Sequence, residues 1–147
     1  MRGLLQRVRR AAVRVAGVEM GAIGPGVLLL VGFAPDDTPA RAEALLDRVL
    51  RYRLFADAEG RMNRSLVDTG GGLLIISQFT LLADTRKGLR PSFGPAAPPA
   101  QAQALYDHFV AAAGARHQPV ASGLFGADMQ VELVNDGPVT LLLDVPG

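Results

Sequence analysis

Two short stretches carry side chains whose types and placement could do chemistry. Ser77-Gln78-Phe79-Thr80-Leu81 sets two hydroxyls, an amide and an aromatic ring directly after the apolar run Leu73 to Ile76, where a buried strand would open onto a rim. Asn135-Asp136-Gly137-Pro138-Val139-Thr140 places a proline inside an otherwise good strand. Proline donates no ladder hydrogen bond, so it marks an edge, a bulge or a turn. Each stretch also has a plain structural reading. The first could be a strand terminus with Phe79 in the core, and the second a simple hairpin turn.

The familiar catalytic patterns are missing. Cysteine is absent, which removes disulfides, thiolate nucleophiles and Cys-based zinc sites together. With only His108 and His117, and no His-Glu-x-x-His spacing, neither a metal site nor another cofactor is expected. Ser77 lies between Ile76 and Gln78, not in a Gly-x-Ser-x-Gly elbow. Lys87, the single lysine, follows no Gly-x-x-x-x-Gly, so Gly70-Gly71-Gly72 reads as a tight turn before a strand. The two histidines read as solvated, and Asp36-Asp37 and Asp57-x-Glu59 as turn carboxylates. No general acid–base pair emerges.

The elements that must position the two stretches follow from periodicity. A chain of 147 residues, 49% hydrophobic and 20% charged, suits one globular domain spanning 1–147. Fifteen basic and fourteen acidic side chains leave a net charge of +1, so any nucleic acid would have to meet a local patch. The longest apolar run, Val27 to Ala34, falls far short of the roughly 20 residues that span a bilayer. Arg7, Arg9, Arg10 and Arg14 break any signal-peptide core, so no membrane association and a cytoplasmic location are expected.

Leu4 and Val8 share one parity while Val13 and Val15 share the other, which predicts a bulge or bend near Arg9-Arg10. Val27 to Phe33 reads as a buried strand. Thr38-Pro39 announces a helix with Ala42, Leu45, Leu46, Val49 and Leu50 on one face. A second amphipathic helix follows Pro98-Pro99, with Ala102, Leu105, Tyr106, Phe109, Val110 and Ala113 on its stripe. Between them, Asp84 to Pro99 is irregular and long enough to be functional or mobile. Met129, Val131 and Leu133 alternate as a strand, and extended chain resumes over Val139 to Val145. The expected architecture is α+β: a mainly antiparallel sheet or partial β-barrel with two amphipathic helices.

Taken together, the two stretches resemble the paired signature motifs of the D-aminoacyl-tRNA deacylase family, the bacterial type once called D-tyrosyl-tRNA deacylase. Ser77 to Leu81 stands where that family has Ser-Gln-Phe-Thr-Leu, and Asn135-x-Gly137-Pro138-Val139-Thr140 where it has Asn-x-Gly-Pro-Val-Thr. Gln6-Arg7-Val8, Asp57-Ala58-Glu59-Gly60 with Met62-Asn63, Arg90-Pro91-Ser92-Phe93 and Ala127-Asp128-Met129 resemble further family segments in the same order. The resemblance covers essentially the whole chain.

It implies an editing hydrolase that cleaves the ester of D-aminoacyl-tRNA, and of glycine mischarged on tRNA-Ala. It further implies a homodimer whose Gly-Pro peptide is cis and reaches into the partner's pocket, rejecting L-amino acids sterically. The family is described as leaving proton handling largely to the tRNA's ribose 2′-hydroxyl. Ser77, Gln78, Phe79 and Thr80 would then form the pocket mainly through their backbone. Gly137 and Pro138 would select chirality, with Asn135, Val139, Thr140 and Met129 in support.

An aminoacyl ester is already activated, so its hydrolysis needs a positioned water and a stabilised oxyanion more than a strong nucleophile. Phe79 stays open as either core packing or a surface for the adenosine. Arg7, Arg86, Lys87 and Arg90, with Arg9, Arg10 and Arg14, are candidate tRNA contacts; the competing reading is a solvated face. The alternative chemistry is an esterase with Thr80 or Ser77 as nucleophile and a distant histidine as base.

Overall fold

In the computed structural model, residues 1–145 are described. A 14-residue strand, β1 (Arg2–Val15), organises the sheet. Its first half pairs antiparallel with β3 (Gly26–Gly32) and its second half with β2 (Val18–Ile23). Along its other edge runs β8 (Gln130–Asp144), also antiparallel. Parallel pairing then carries the sheet from β3 to β6 (Gly72–Ser77) and on to β7 (Val120–Ser122). Gly21 of β2 comes up against Ala121 and Ser122 of β7, so the mixed sheet nearly closes on itself. Phe55–Ala56 (β4) and Met62–Arg64 (β5) form a separate small hairpin.

The bulge falls where the parity of β1 breaks. Val8 is opposite Asn135 and Arg10 opposite Val134, so two steps on β1 meet one on β8. A one-residue slip reverses which face later side chains point to. Hence Leu5 belongs to one buried cluster, whereas Val8, Ala11 and Val13 all belong to the other. β3 and β6 are buried on both faces, as their unbroken apolar runs require. Leu73 and Ile75 face one cluster and Leu74 and Ile76 the other, and complete burial of each such side chain stabilises the fold by about 1.5–3 kcal/mol.

Helices α1 (Pro39–Arg51) and α3 (Pro99–Arg116) cover one face of the sheet. Thr38 caps α1 by accepting from the Arg41 amide, and Pro39 opens its first turn. The helical stripes read from the sequence are buried, Leu45, Leu46 and Val49 from α1 and Leu105 and Phe109 from α3 among them, except that Val110 is only partly buried. Besides the two helices expected from the sequence there is a third, the four-residue α2 (Leu66–Thr69), which a Ser65–Asp68 capping box opens. Asp37 is more than a turn carboxylate. It is buried and pairs at 2.8 Å with the Met1 ammonium, and it also accepts from the Ala34 amide at 2.7 Å. Among the described residues no helix is long and apolar enough to cross a membrane.

Candidate active site

β6 ends at Ser77, and the chain turns at once into a 3-10 turn, Phe79–Leu82. This turn can lie over the end of β3 because residue 32 is glycine. A Cβ there would run into the Leu82 side chain and stand 2.7 Å from the Gln78 carbonyl. Beside the turn opens a cavity of about 630 Å3, within the range of small-ligand sites. One wall is Ser77, Gln78 and Phe79; the irregular 84–99 stretch supplies a second, and the segment from Phe125 to Met129 the third. That stretch is tied down: Asp84 and Ser92 exchange backbone hydrogen bonds at 2.7 and 3.0 Å, and the Ala97 amide donates to Phe33.

Phe79 is 52% exposed and meets Phe93 edge-on, ring centroids 4.9 Å apart. It is therefore pocket surface and not core. Gln78 Nε2 donates to Thr80 Oγ1, which couples the two polar side chains of the turn. The first hydrogen bonds of the turn are donated by the amides of Leu81 and Leu82, leaving those of Phe79 and Thr80 without an acceptor among the described residues. Below the floor, the Tyr106 hydroxyl sits 2.9 Å from the Ile75 carbonyl and 3.0 Å from that of Gly123. Burial pushes its phenol up to about 12. Sequence periodicity shows Tyr106 only as packing; that its hydroxyl joins β6 to Gly123, the residue after β7, has no local signal.

The second motif is not a hairpin turn. β8 runs through it, and Asp136 to Val139 bulge outward between Asn135, opposite Val8, and Thr140, opposite Gln6. Asn135 braces the bulge from within. Its Oδ1 accepts from the Val139 amide at 2.8 Å, and its Nδ2 donates to the Val139 carbonyl and to Thr140 Oγ1. Arg7 braces it from β1, donating to the Asp136 carbonyl at 2.7 Å and to the Leu54 carbonyl at 2.6 Å. Gly137 has φ +152°, and a Cβ on it would stand 2.7 Å from the Val139 nitrogen. The Gly137-Pro138 peptide is cis, and both residues are exposed.

One chain does not bring these motifs together. Ser77 is level with Val31 and Gly3, whereas the bulge is level with Arg7 and Val27, and two strands lie between β6 and β8. No residue of the bulge lines the cavity; Met129 does, close to Gly123. Nor does either histidine. His108 Nε2 lies 3.0 Å from Glu43, and His117 is half-buried, donating through Nε2 to the Gly71 carbonyl at 2.6 Å instead of standing in solvent. Among the described residues, Asp128 is the one ionisable side chain of the lining. Among the described residues, no three His, Cys, Asp or Glu side chains gather as a metal cage would need.

The sequence-read cations are differently occupied. Arg7 is committed to backbone carbonyls. Arg10 and Arg14 pair with Glu132, and Arg9 with Asp136. Arg86 forks onto Asp84 and holds that carboxyl below the usual carboxylate range. Lys87 and Arg90 have no ion-pair partner among the described residues and stand on the loop that walls the cavity.

The near-closed mixed sheet with its strand-end pocket is a D-tyrosyl-tRNA deacylase-like α+β fold. A solved structure described as "a probable eukaryotic D-amino acid tRNA deacylase" shares this fold, with a TM-score of 0.83, 20% identity and 98% of each chain covered. Another, described as "c-Myc DNA Unwinding Element Binding Protein", superposes with a TM-score of 0.95, 38% identity and both chains wholly covered. A family model described as D-Tyr-tRNA(Tyr) deacylase matches residues 4–144. Among curated relatives, D-aminoacyl-tRNA deacylases of Azotobacter vinelandii and Pseudomonas fluorescens are 63% and 62% identical, covering 98% and 97% of this chain and 99% of each relative. The chain belongs to the D-aminoacyl-tRNA deacylase family. It is a hydrolase of the aminoacyl-tRNA ester and interacts with tRNA.

Proposed function

We propose that this protein edits D-aminoacyl-tRNA at a site completed by two copies of the chain. The observation that carries this reading is the separation of the two motifs: the cavity lies at Ser77–Phe79, while the braced Gly137-Pro138 bulge projects from the same chain elsewhere and is exposed. A bulge held rigidly by Arg7 and Asn135 yet touching no ligand pocket of its own is suited to a partner's cavity. Among the described residues β8 pairs only with β1, which leaves its other edge unpaired with Leu142 half exposed, and such an edge needs cover.

The 3′-terminal adenosine with its aminoacyl group enters the cavity, with Phe79 and Phe93 as apolar surface. The amides of Phe79 and Thr80 point donors at the developing oxyanion, where preorganised N–H groups stabilise charge without reorganisation. No histidine reaches Ser77 or Thr80, which weakens the esterase alternative; the ribose 2′-hydroxyl of the tRNA handles the proton. A backbone wall of Gly137-Pro138 rejects an L side chain from Cβ outward, since specificity by clash requires no recognition of the side chain itself. Favourable contacts could not do this generally, because one methylene is worth only about 1–3 kcal/mol. Glycine has no Cβ and passes the wall, so glycyl-tRNA is also a substrate. Lys87 and Arg90 meet the acceptor end at the pocket mouth.

The test is hydrolysis of matched D-tyrosyl-, L-tyrosyl- and glycyl-tRNA. Release from the D and glycyl esters with the L ester spared is expected. Comparable rates on the D and L esters would refute the wall.

A further inference from the structure

On the far side of the Arg7 bridge lies a second cleft, of about 660 Å3, where the C-terminal ends of α1 and α3 converge beside α2. Its lining includes Arg48, Arg51, Arg53 and Arg116 against only Asp47 and Asp68. This is a local cationic excess on a chain whose net charge is only +1. Arg51 and Arg116 are held side by side, each 2.9 Å from a different oxygen of Asp47. A guanidinium carries five N–H donors, so each retains donors for another anion. Arg48 donates to the Asp144 carbonyl at 3.0 Å, and Arg53 has no ion-pair partner among the described residues.

Between Arg51 and Arg53 stands Tyr52, the exposed C-cap of α1. An exposed ring between a tethered cation, Arg51, and an unpaired one, Arg53, offers what a sugar-phosphate backbone with a stacked base requires. We infer that the Arg51-Tyr52-Arg53 cleft binds the RNA body of the substrate, its arginines on phosphates and Tyr52 against a base or ribose. Basic side chains in the last turns of α1 and α3 also suit the helix dipoles, but Tyr52 and Arg53 lie beyond α1 and the dipole does not account for them.

The cleft is placed to serve the composite site, and in that respect the inference rests on the proposed function. Arg7 bonds the Leu54 carbonyl with one nitrogen and the Asp136 carbonyl with another, so Leu54, the residue that follows Arg53, stands one guanidinium away from the base of the Gly137-Pro138 bulge. A tRNA whose 3′ end enters the partner's cavity, against that bulge, then has its body beside the cleft.

The experiment compares wild type with Arg53→Gln and Tyr52→Ala on D-tyrosyl-tRNA and on the minimal ester 3′-O-D-tyrosyl-adenosine. A third measurement is the binding of uncharged tRNA by fluorescence anisotropy across a salt series. Arg53→Gln should raise the KM for D-tyrosyl-tRNA and the tRNA Kd about threefold or more, and lower the log–log salt slope by about 0.7–0.9. Tyr52→Ala should weaken both about fivefold or more. Kinetics on the minimal ester should stay at the wild-type level, which shows that the variants are folded. Unchanged tRNA affinity and slope would overturn the inference, and so would equal losses on both esters. Failure of the wild type to hydrolyse either D ester would refute the deacylase reading instead, while the anisotropy series would still decide the cleft.

Discussion

Arg7 Nε lies 2.7 Å from the carbonyl oxygen of Asp136, the residue that leads into Gly137-Pro138. The same guanidinium reaches the Leu54 carbonyl, so one side chain on β1 fixes the bulge of β8 against the segment that follows α1. Charge-assisted hydrogen bonds of this kind contribute about 1.5–3 kcal/mol each. Arg7→Met keeps the aliphatic stem and removes the donors. It is expected to lower D-tyrosyl-tRNA hydrolysis about tenfold to a hundredfold and to narrow the D-over-L ratio. An unchanged ratio would mean that Arg7 does not orient the bulge.

Gly137→Ala puts a Cβ 2.8 Å from Val139 Cγ2 at a φ of +152°. Strain of that sort costs about 1–3 kcal/mol. Because the residue is exposed, the loss should appear in activity and chiral selection, with far-UV circular dichroism unaltered. A fully active variant would show that the bulge tolerates a shift.

Thr80→Ala removes one hydroxyl that accepts from Gln78 but leaves the Thr80 amide in place. Loss of a supporting hydrogen bond of about 0.5–1.5 kcal/mol reduces kcat by tenfold at most. A fall of a thousandfold would instead mark a threonine nucleophile.

A site shared across a two-fold axis should complement. Gly137→Ala mixed with Ala127→Trp, which fills the cavity, gives heterodimers in which one of the two composite sites is intact. After subunit exchange at equal amounts, activity should recover to about a quarter of wild type. Light scattering should meanwhile report a dimer. No recovery, or a fully active monomer, would exclude the cross-subunit arrangement.

The Tyr106 phenol, with its pKa raised to about 12, is protonated in the folded protein above the pH where an unfolded tyrosine ionises. Its contribution to stability is complete below about pH 10 and is lost as pH rises toward the folded value. Denaturant unfolding should therefore show stability falling between pH 10 and 12. Tyr106→Phe should be less stable at neutral pH by about 1 kcal/mol and flatter across that window. An identical alkaline slope in the variant would remove the tyrosine as its source.

Much of the frame is legible along the chain because its causes are local. The parity break at Arg9-Arg10 is visible as a change in which residues are apolar, and the bulge lies there. Thr38-Pro39 and the stripe from Ala42 to Leu50 mark α1 because a cap and a 3.6-residue repeat need only neighbouring residues. The apolar run ending at Ser77 marks a buried strand opening onto a polar rim. The motifs themselves are contiguous, so their family is readable from sequence.

Other features depend on residues far apart in the chain. Asp37 lies in a sequence context that reads as a turn carboxylate, yet it is buried and paired with the Met1 ammonium, 36 residues away. Arg7 is one basic residue among several near the amino terminus. Only the pairing of β1 with β8, and the approach of Leu54, turn it from a candidate tRNA contact into a brace for the bulge. Arg51, Arg53 and Arg116 become one cationic cleft only when two helix ends meet. The sequence by itself determined the strands, the helices and the two motifs, since periodicity, capping and turn chemistry act over a few residues. Tertiary structure alone decided that the pocket and the Gly137-Pro138 bulge lie apart on one chain, because sheet register, set by packing across four strands, fixes their separation.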